Sequence, residues 1–284
     1  MYNFHMDTSE KMPYEKISFQ KIAIIYNEDV RESLTTAKLI QEELCSNNLS
    51  STVIPSDKKI DADFVITVGG DGTLLKAARL YPETPVFGIN LGRLGFLAQA
   101  KPDEIETAIK KLINGEYTVQ KRMMLEAFGE KATALNDIVI KGDSFSRTSR
   151  LYLSINGKPV CDYLADGIII ATPTGSTAYT LSAGGPVIYP GMEAIVIVPI
   201  CPHTLTARPL VVPSNEKIEI SSCESCTGMK LSADGQNTID IAQNQTVTIE
   251  KSRKTAKLVV LKRENNGFYC VLREKLQWGV APRA

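Results

Sequence analysis

Residues 64–73 read Phe-Val-Ile-Thr-Val-Gly-Gly-Asp-Gly-Thr, and this stretch decides the first part of the fold. The apolar, β-branched run 64–68 predicts a buried strand, which the two glycines end. Residues 71–73, Asp-Gly-Thr, lead into the run 74–79, which reads as a helix. Backbone N–H groups and the positive end of a helix meet at such a glycine turn. The stretch therefore predicts a site for phosphate.

The acidic residue in this turn, Asp71, does not suit a loop that only binds phosphate, because its carboxylate repels a phosphate group. A carboxylate is useful there if it handles a hydroxyl group or a metal ion beside the phosphate. The alternative is that Asp71 only hydrogen-bonds its own turn. Thr73 is expected to cap the helix.

The sequence around this stretch alternates between strand and helix patterns up to about residue 115. Strands are predicted at 22–26, 51–54, 64–68 and 86–89, and helices at 30–46 and 102–114. One face of the first helix carries Leu34, Ala37, Ile40 and Leu44. This alternation predicts an α/β domain with a mainly parallel sheet, whose ligands bind at the carboxyl ends of the strands.

From about residue 120 the pattern changes to short alternating runs separated by turns such as Asn156-Gly157 and Asp234-Gly235. The pattern predicts an all-β second domain, close to a sandwich. The run 268–272 reads as a last strand before a polar tail. The predicted organisation is a loose leader (1–20), a Rossmann-like α/β domain (21–119), a β-sandwich domain (120–267) and a C-terminal segment (268–284).

The composition excludes several classes of protein. The chain has 284 residues, and its 32 basic and 32 acidic side chains cancel, which gives no support for binding nucleic acid. No apolar run approaches the ~20 residues needed to span a membrane, and the N-terminus lacks an apolar signal core. Four cysteines stand alone beside apolar residues, which favours buried, reduced thiols and a cytoplasmic protein. With only two histidines, Cys223 and Cys226 are not expected to bind zinc.

A second motif, at 166–186, follows a predicted strand that ends before a cluster of hydroxyl side chains. The cluster consists of Thr172, Thr174, Ser176 and Thr177. Hydroxyl groups this close together suit phosphates or ribose, and Tyr179 could stack on a base. The alternative is an ordinary Thr/Ser turn with a helix cap.

Two shorter stretches also carry candidate ligand-binding side chains. Asn136 and Asp137 lie beside an apolar strand; an amide suits an adenine edge or a ribose, and a carboxylate accepts hydroxyl protons. The alternative, favoured for this pair taken alone, is an ordinary turn before a strand. Phe96 lies in a glycine-broken loop, NLGRLGFL, where it could pack on a ligand or fill the core. The chain has neither a P-loop nor the dinucleotide-binding glycine fingerprint.

The order of these motifs resembles that of the NAD kinase family over about residues 20–279. The matching motifs are GGDGT at 69–73, Asn136-Asp137, DG-x3-ATPTGSTAY at 166–179, GGP at 184–186 and PICPHTLTARP at 199–209. GGDGT alone would also fit lipid kinases and phosphofructokinases, but the hydroxyl-rich motif distinguishes NAD kinases from them. Two positions depart from the family: Asp137 where Glu is usual and Ala207 where Asn is frequent.

The resemblance implies an enzyme that phosphorylates the 2′-hydroxyl of the adenosine ribose of NAD, with ATP or another donor and a divalent metal ion, Mg²⁺, held mostly by the donor. It makes Asp71 the general base. It assigns substrate contacts to Gly72, Lys76, Phe96, Asn136, Asp137, Arg147, Asp166, Thr177, Ala178, Tyr179, Ser182 and Gln236. It also implies a homodimer or homotetramer formed through the β domain, and a C-terminal segment that returns to the first domain.

Several properties stay open at the level of sequence. The residues do not decide between ATP and polyphosphate as donor, nor whether NADH is accepted or NADP(H) feeds back. A lipid or sugar kinase with the same GGDGT turn and a non-catalytic NAD(H)-binding regulator are the rival functions. A lipid kinase is expected to have an apolar membrane-facing segment, and the regulator to bind NAD without turnover.

Overall fold

The computed structural model describes residues 18–92, 95–98, 100–142, 148–223, 228–262 and 268–277. Within these ranges, none of the helices has the length and apolar character to cross a membrane.

The N-terminal part is an α/β layer structure, as the alternating sequence pattern predicts. Its four strands are β1 (Ile22–Tyr26), β2 (Ser51–Pro55), β3 (Phe64–Val68) and β4 (Pro85–Ile89). Its helices are α1 (Arg31–Ser46), α2 (Asp71–Leu80) and α3 (Ile105–Ile113). The strands are parallel in the order β2-β1-β3-β4. Helices α1 and α3 pack on one face of the sheet and α2 packs on the other.

The rest of the chain is almost entirely β structure. The strands up to the second motif are β5 (Tyr117–Ala127), β6 (Ala132–Ala134), β7 (Asp137–Gly142), β8 (Ser149–Ile155), β9 (Lys158–Ala165) and β10 (Gly167–Ala171). The later strands are β11 (Ala194–Ile200), β12 (Leu210–Pro213), β13 (Ile218–Ser222), β14 (Met229–Ala233), β15 (Asn237–Ile241) and β16 (Val247–Leu261). Two further helices are α4 (Tyr179–Ser182) and α5 (Phe268–Leu276).

Two sheets face each other across an apolar core in this second part. One has six antiparallel strands in the order β12-β11-β10-β7-β14-β15. The other has ten strands and includes β13, β8, β9, β5 and β6. Side chains such as Leu125, Ile168 and Leu231 fill the space between them. This arrangement confirms the predicted fold class, an α/β domain followed by a β-sandwich.

The long strand β16 joins the two parts of the molecule. Its first residues pair with β13, whereas Lys257 and Leu258 pair in parallel with Pro85 and Val86 of β4. The parallel sheet and one sheet of the sandwich are therefore one ten-stranded sheet. Strand β5 runs across residue 119, the predicted boundary between the two domains. The Phe268 ring of α5 lies 5.4 Å from the ring of Tyr189, a residue of the predicted sandwich domain. The predicted domain bounds stay a prediction.

Four local expectations were wrong. Leu34 is 39% exposed, because the hydroxyl of Ser33 donates to the Val68 carbonyl and turns the next residue outwards. The run 268–272 is helical, since a short apolar run fits either structure. Two of the lone cysteines, Cys45 and Cys201, are exposed. Thr73 does not cap α2: the helix begins at Asp71, and no side chain caps it.

Candidate active site

The GGDGT turn links β3 to α2 at the carboxyl edge of the parallel sheet. Gly70 is the N-cap residue of α2, and Asp71 is the first residue of the helix. The N–H of Thr73 bonds back to the Gly70 carbonyl over 3.0 Å. This is the strand–turn–helix geometry that the sequence predicts for a phosphate-binding site.

The Asp71 carboxylate is held by the loop that follows β4, and not by its own turn. It accepts hydrogen bonds from the backbone N–H groups of Phe96 (2.8 Å), Leu97 (3.3 Å) and Ala98 (3.3 Å). A Cβ atom on Gly95 would lie 2.0 Å from Asp71 Oδ1, so the loop approaches this closely only because residue 95 is glycine. A carboxylate offers about four lone-pair positions, and three N–H groups leave one for a hydroxyl.

Asp71 and Lys76, both on α2, line different hollows of the surface. A hollow of about 480 Å³ is lined by Gly69, Asp71, Asn90 and Gly95. A larger cleft of about 740 Å³ is lined by Ser56, Gly72, Lys76 and Gln236. Gly70 borders both. The glycine turn is therefore the wall between the carboxylate and the ammonium group, and the Lys76 ammonium group bonds Ser56 Oγ over 3.2 Å.

The Asn136-Asp137 segment and the hydroxyl-rich motif meet by their backbones. The Thr172 N–H donates to the Asn136 carbonyl over 2.8 Å, and its hydroxyl donates to the Leu135 carbonyl. A Cβ atom on Gly175 would lie 2.1 Å from the Asn136 carbonyl oxygen. The TPTG turn can therefore pack on this segment only with glycine at position 175.

Most hydroxyl groups of the cluster stabilise the turn itself. Thr172, Thr174 and Ser176 are buried. The Ser176 hydroxyl donates to the Pro173 carbonyl over 2.7 Å and accepts from the Ile188 N–H over 3.0 Å. The bonds of Thr172 and Ser176 agree with the ordinary-turn alternative, whereas the Thr174 hydroxyl accepts a hydrogen bond from Arg122 Nη1 over 3.4 Å. The later residues of the motif reach the surface: Thr177 and Ala178 are half-buried, and Tyr179 and Ser182 are exposed.

Asp137 is the residue whose electrostatic environment departs most from that of a surface carboxylate. It is 5% exposed at the start of β7. Burial, with a smaller effect of the negative charge of Asp234, raises its pKa from 3.8 to about 7. Tyr179 also has a raised pKa, because of burial and then the nearby negative groups of Cys201, Asp137 and Asp166.

The structure groups most of the predicted site residues but places Asp166 apart from Asp137. Asp137 pairs with Ala171 at one end of β10, and Asp166 directly precedes Gly167 at the other end. At ~3.3 Å per residue, about 17 Å of strand separates Asp166 from Ala171. Gln236 joins the GGDGT turn, since its amide nitrogen donates to the Gly72 carbonyl over 2.8 Å. Arg147 lies outside the described residues.

Arg79 and Asp234 lie near the site but were not among the predicted site residues; Asp234 was predicted only as part of a turn. Arg79 and Asp234 form an ion pair of 2.6 Å, with their side chains 12% and 0% exposed. The sequence feature that could have pointed to Arg79 is its position on the same helix as Asp71 and Lys76. Its partner, 155 positions later, was not predictable from spacing. Among the described residues, no cluster of three or more His, Cys, Asp or Glu side chains is suited to a metal ion.

Comparison with known proteins identifies the family. A profile described as the ATP-NAD kinase N-terminal domain matches residues 52–117, and one described as the ATP-NAD kinase C-terminal domain matches residues 135–261. An NAD kinase from Thermoanaerobacter sp. (strain X514) is 46% identical over 224 residues, which are 76% of this chain and 78% of that protein. An NAD kinase from Pseudomonas fluorescens (strain SBW25) is 45% identical over 227 residues, 76% of each chain.

Two solved structures share the fold. The crystal structure of an NAD kinase from Archaeoglobus fulgidus in complex with ATP has 32% sequence identity and a TM-score of 0.76, covering 88% of this chain and 98% of that one. The crystal structure of yeast NADH kinase complexed with NADH has 25% identity and a TM-score of 0.80, covering 93% and 89%. From its motifs, its architecture and these relatives, the chain belongs to the NAD kinase family.

Proposed function

We propose that this NAD kinase, which phosphorylates NAD to NADP, transfers the γ-phosphoryl group of ATP to the 2′-hydroxyl of the adenosine ribose, with Asp71 as general base. The observation that carries the proposal is the fixed Asp71 carboxylate at the glycine turn. Three backbone N–H groups orient it, and it is half-buried in a hollow beside that turn.

Phosphoryl transfer depends mainly on positioning and on stabilising charge. Asp71 would orient the hydroxyl in line with the γ-phosphorus and take its proton as the new P–O bond forms. Asn136 and Asp137 would hold the ribose and adenine of NAD, and Phe96 would line the adenine pocket. Lys76, on the other side of the turn, would neutralise phosphate charge in the larger cleft.

The remaining predicted contacts extend the site along the second motif. At least part of each of these residues reaches the surface: Thr177, Ala178, Tyr179 and Ser182. The Thr177 hydroxyl also donates to the Thr174 carbonyl over 3.4 Å. Asp166 and Arg147 are proposed as contacts to the distal end of NAD. Asp166 precedes β10 at the end opposite Ala171, which suits a contact with the distal part of an extended dinucleotide.

The metal ion is proposed to be Mg²⁺ that enters with the donor. Mg²⁺ keeps several water ligands and prefers phosphate oxygens to a cage of protein groups. The donor set fits this, since the described residues form no carboxylate cluster and the Asp71 oxygens already accept backbone N–H groups. When bound, the ion neutralises charge on the donor phosphates.

A cytoplasmic location and a homodimer or homotetramer formed through the β domain are further proposals. The solved relatives with ATP and with NADH support a nucleotide donor and raise the question whether NADH is also phosphorylated. Polyphosphate as an alternative donor is a question for the same assay.

The test is NADP formation from NAD, ATP and Mg²⁺, detected with an NADP-specific dehydrogenase. A positioned base contributes roughly 10²–10⁴ in rate, so Asp71→Asn should lose at least 10²-fold in kcat. The matched control is Asp103→Asn, an exposed aspartate on the turn before α3, which should leave kcat unchanged.

Thermal melting and calorimetric NAD binding show whether Asp71→Asn still folds and binds. A folded, fully active Asp71→Asn protein would refute the assignment of the base. NAD binding without any NADP formation by the unmodified protein would favour the regulator instead.

A further inference from the structure

The β14–β15 hairpin turn lies between the two elements that carry the proposed catalytic residues. On one side of it is α2, which begins with Asp71. On the other is the segment 135–137, which contains Asn136 and Asp137. Asp234 and Gly235 adopt positive φ angles of 51° and 66°, which makes the turn tight and points the Asp234 side chain inwards.

The Asp234 carboxylate binds the segment 135–137 through its backbone. It accepts the N–H groups of Leu135 (3.1 Å), Asn136 (2.7 Å) and Asp137 (3.2 Å). The Asp234 N–H donates in return to the Asp137 carbonyl over 2.9 Å. This one side chain therefore fixes the backbone of the three residues that present Asn136 and Asp137.

The other side of the turn binds α2 at two places. Arg79, near the end of the helix, donates Nη1 to Asp234 Oδ2 and Nη2 to Gln236 Oε1, both over 2.6 Å. Gln236 then donates its amide nitrogen to the Gly72 carbonyl, at the start of the helix, over 2.8 Å. The two contacts are seven residues apart, about 10 Å along the helix axis. They fix both the distance of α2 from the hairpin and its orientation.

The chemistry of these contacts makes them rigid. A guanidinium group is planar and offers several N–H donors in a fixed fork, so that Arg79 can bond a carboxylate and an amide oxygen at once. The Asp234 side chain is 0% exposed and that of Arg79 is 12% exposed. Water therefore competes little for the pair, and both charges are compensated only by each other and by the surrounding amides.

From these contacts we propose that Arg79 and Asp234 are positioning residues for phosphoryl transfer. Their ion pair sets the distance between the base Asp71 and the NAD-binding residues Asn136 and Asp137. The inference rests on the proposed function of those three residues. A reacting geometry displaced by about 1 Å can cost 10²-fold in rate, so a loosened pair should lower kcat without removing any substrate contact.

The test compares the kinetics of Arg79→Met, Arg79→Lys and Asp234→Asn with those of the unmodified protein. Arg79→Met should lower kcat about 10- to 100-fold while the calorimetric dissociation constant of NAD changes less than about 3-fold. Arg79→Lys keeps the charge but cannot bond Asp234 and Gln236 in the same fork, so it should restore part of kcat. In the double variant Arg79→Met/Asp234→Asn, the loss should be smaller than the product of the two single losses.

The matched control separates positioning from stability. Leu231, on strand β14, is 0% exposed and its side chain packs in the sandwich core. Leu231→Ala should lower the melting temperature as much as Arg79→Met or more. Assayed well below its melting temperature, it should keep its kcat.

Three outcomes are informative. The positioning role is supported if Arg79→Met lowers kcat, Arg79→Lys restores part of it and Leu231→Ala leaves kcat unchanged. If Arg79→Met fails to fold, Arg79→Lys and Asp234→Asn carry the same comparison. An unchanged kcat in folded Arg79 variants overturns the inference. The proposed function is still supported in that case if the unmodified protein forms NADP and Asp71→Asn does not. An unmodified protein that makes no NADP overturns both.

Discussion

At the scale of single residues, Asp137 is the carboxylate with the most altered acidity. Its pKa of about 7 means that it is protonated in part at neutral pH. A protonated carboxyl group can donate a hydrogen bond as well as accept one. Asp137 therefore changes its hydrogen-bonding character near pH 7.

The pKa of Asp137 predicts how stability depends on pH. The folded-state value of about 7 lies above the ordinary value of 3.8, so between these two values the folded protein binds more protons than the unfolded one. The free energy of unfolding should therefore fall as pH rises from about 4 to 7 and should lose nothing more from this group above that window. At ~1.4 kcal/mol per pKa unit, the full effect is of the order of 4 kcal/mol.

The variant Asp137→Asn removes this titration and should be more stable than the unmodified protein at pH 8 but not at pH 4. Urea unfolding at several pH values measures the difference. Asp162→Asn, an exposed aspartate on β9, is the matched control. A stability difference between Asp137→Asn and the unmodified protein that is the same at pH 4 and pH 8 would contradict this prediction.

At the scale of elements, the site depends on two close backbone approaches that only glycine permits. The loop after β4 reaches Asp71 at Gly95, and the turn after β10 reaches Asn136 at Gly175. Gly175 lies in a short 3-10 helix, Thr174–Thr177, and Gly95 lies in the loop after β4. Each brings a segment of backbone against a motif that is distant in sequence.

Gly175→Ala tests the second approach. Its Cβ atom would lie 2.1 Å from the Asn136 carbonyl oxygen, so the TPTG turn or the 135–137 segment has to move. Because this contact holds the two proposed NAD-binding motifs together, the dissociation constant of NAD should rise at least 10-fold, as measured by calorimetry.

Gly115→Ala is the control for that variant, because residue 115 follows α3 and an added Cβ atom would meet no atom within 4 Å, while its φ of 74° strains the alanine. It should bind NAD as the unmodified protein does. Normal NAD affinity in Gly175→Ala would show that the two motifs do not need this contact.

At the scale of the whole molecule, β16 decides how the two parts cooperate. Its 15 residues run through the sandwich and into the parallel sheet beside β4. The α2 helix is held against the β14–β15 hairpin by a buried ion pair. The two parts therefore share both a sheet and a network of side chains.

We expect the protein to unfold in a single transition. Since the ten-stranded sheet crosses both parts, one cannot unfold without exposing the edge and the core of the other. Differential scanning calorimetry should show one transition whose van't Hoff enthalpy is close to its calorimetric enthalpy. Two separated transitions, one of which responds to NAD and one of which does not, would be evidence against this coupling.

Much of this structure could be predicted from local sequence, because strands, turns and amphipathic helices depend mainly on residues that are close together in the chain. The apolar run 64–68 and the glycines after it predict the strand, the turn and a helix, although α2 begins three residues earlier than expected. The Asn-Gly pair at 156–157 and the Asp-Gly pair at 234–235 predict turns, and all four residues have positive φ. The exposed Leu34 and the helical 268–272 were missed, because the contacts that decide them come from β3 and from the packing of the C-terminal helix.

By itself, the sequence determined the fold class, the order of the motifs, the family and Asp71 as the candidate base. Those properties depend on residue types and on short spacings. Only the tertiary structure decided where the Asp71 carboxylate points, that Asp137 has a raised pKa, and that Arg79 meets Asp234 across 155 positions of sequence. The physical reason is that burial, electrostatic coupling and long-range hydrogen bonds arise from distances in space, and the sequence sets these only through the completed fold.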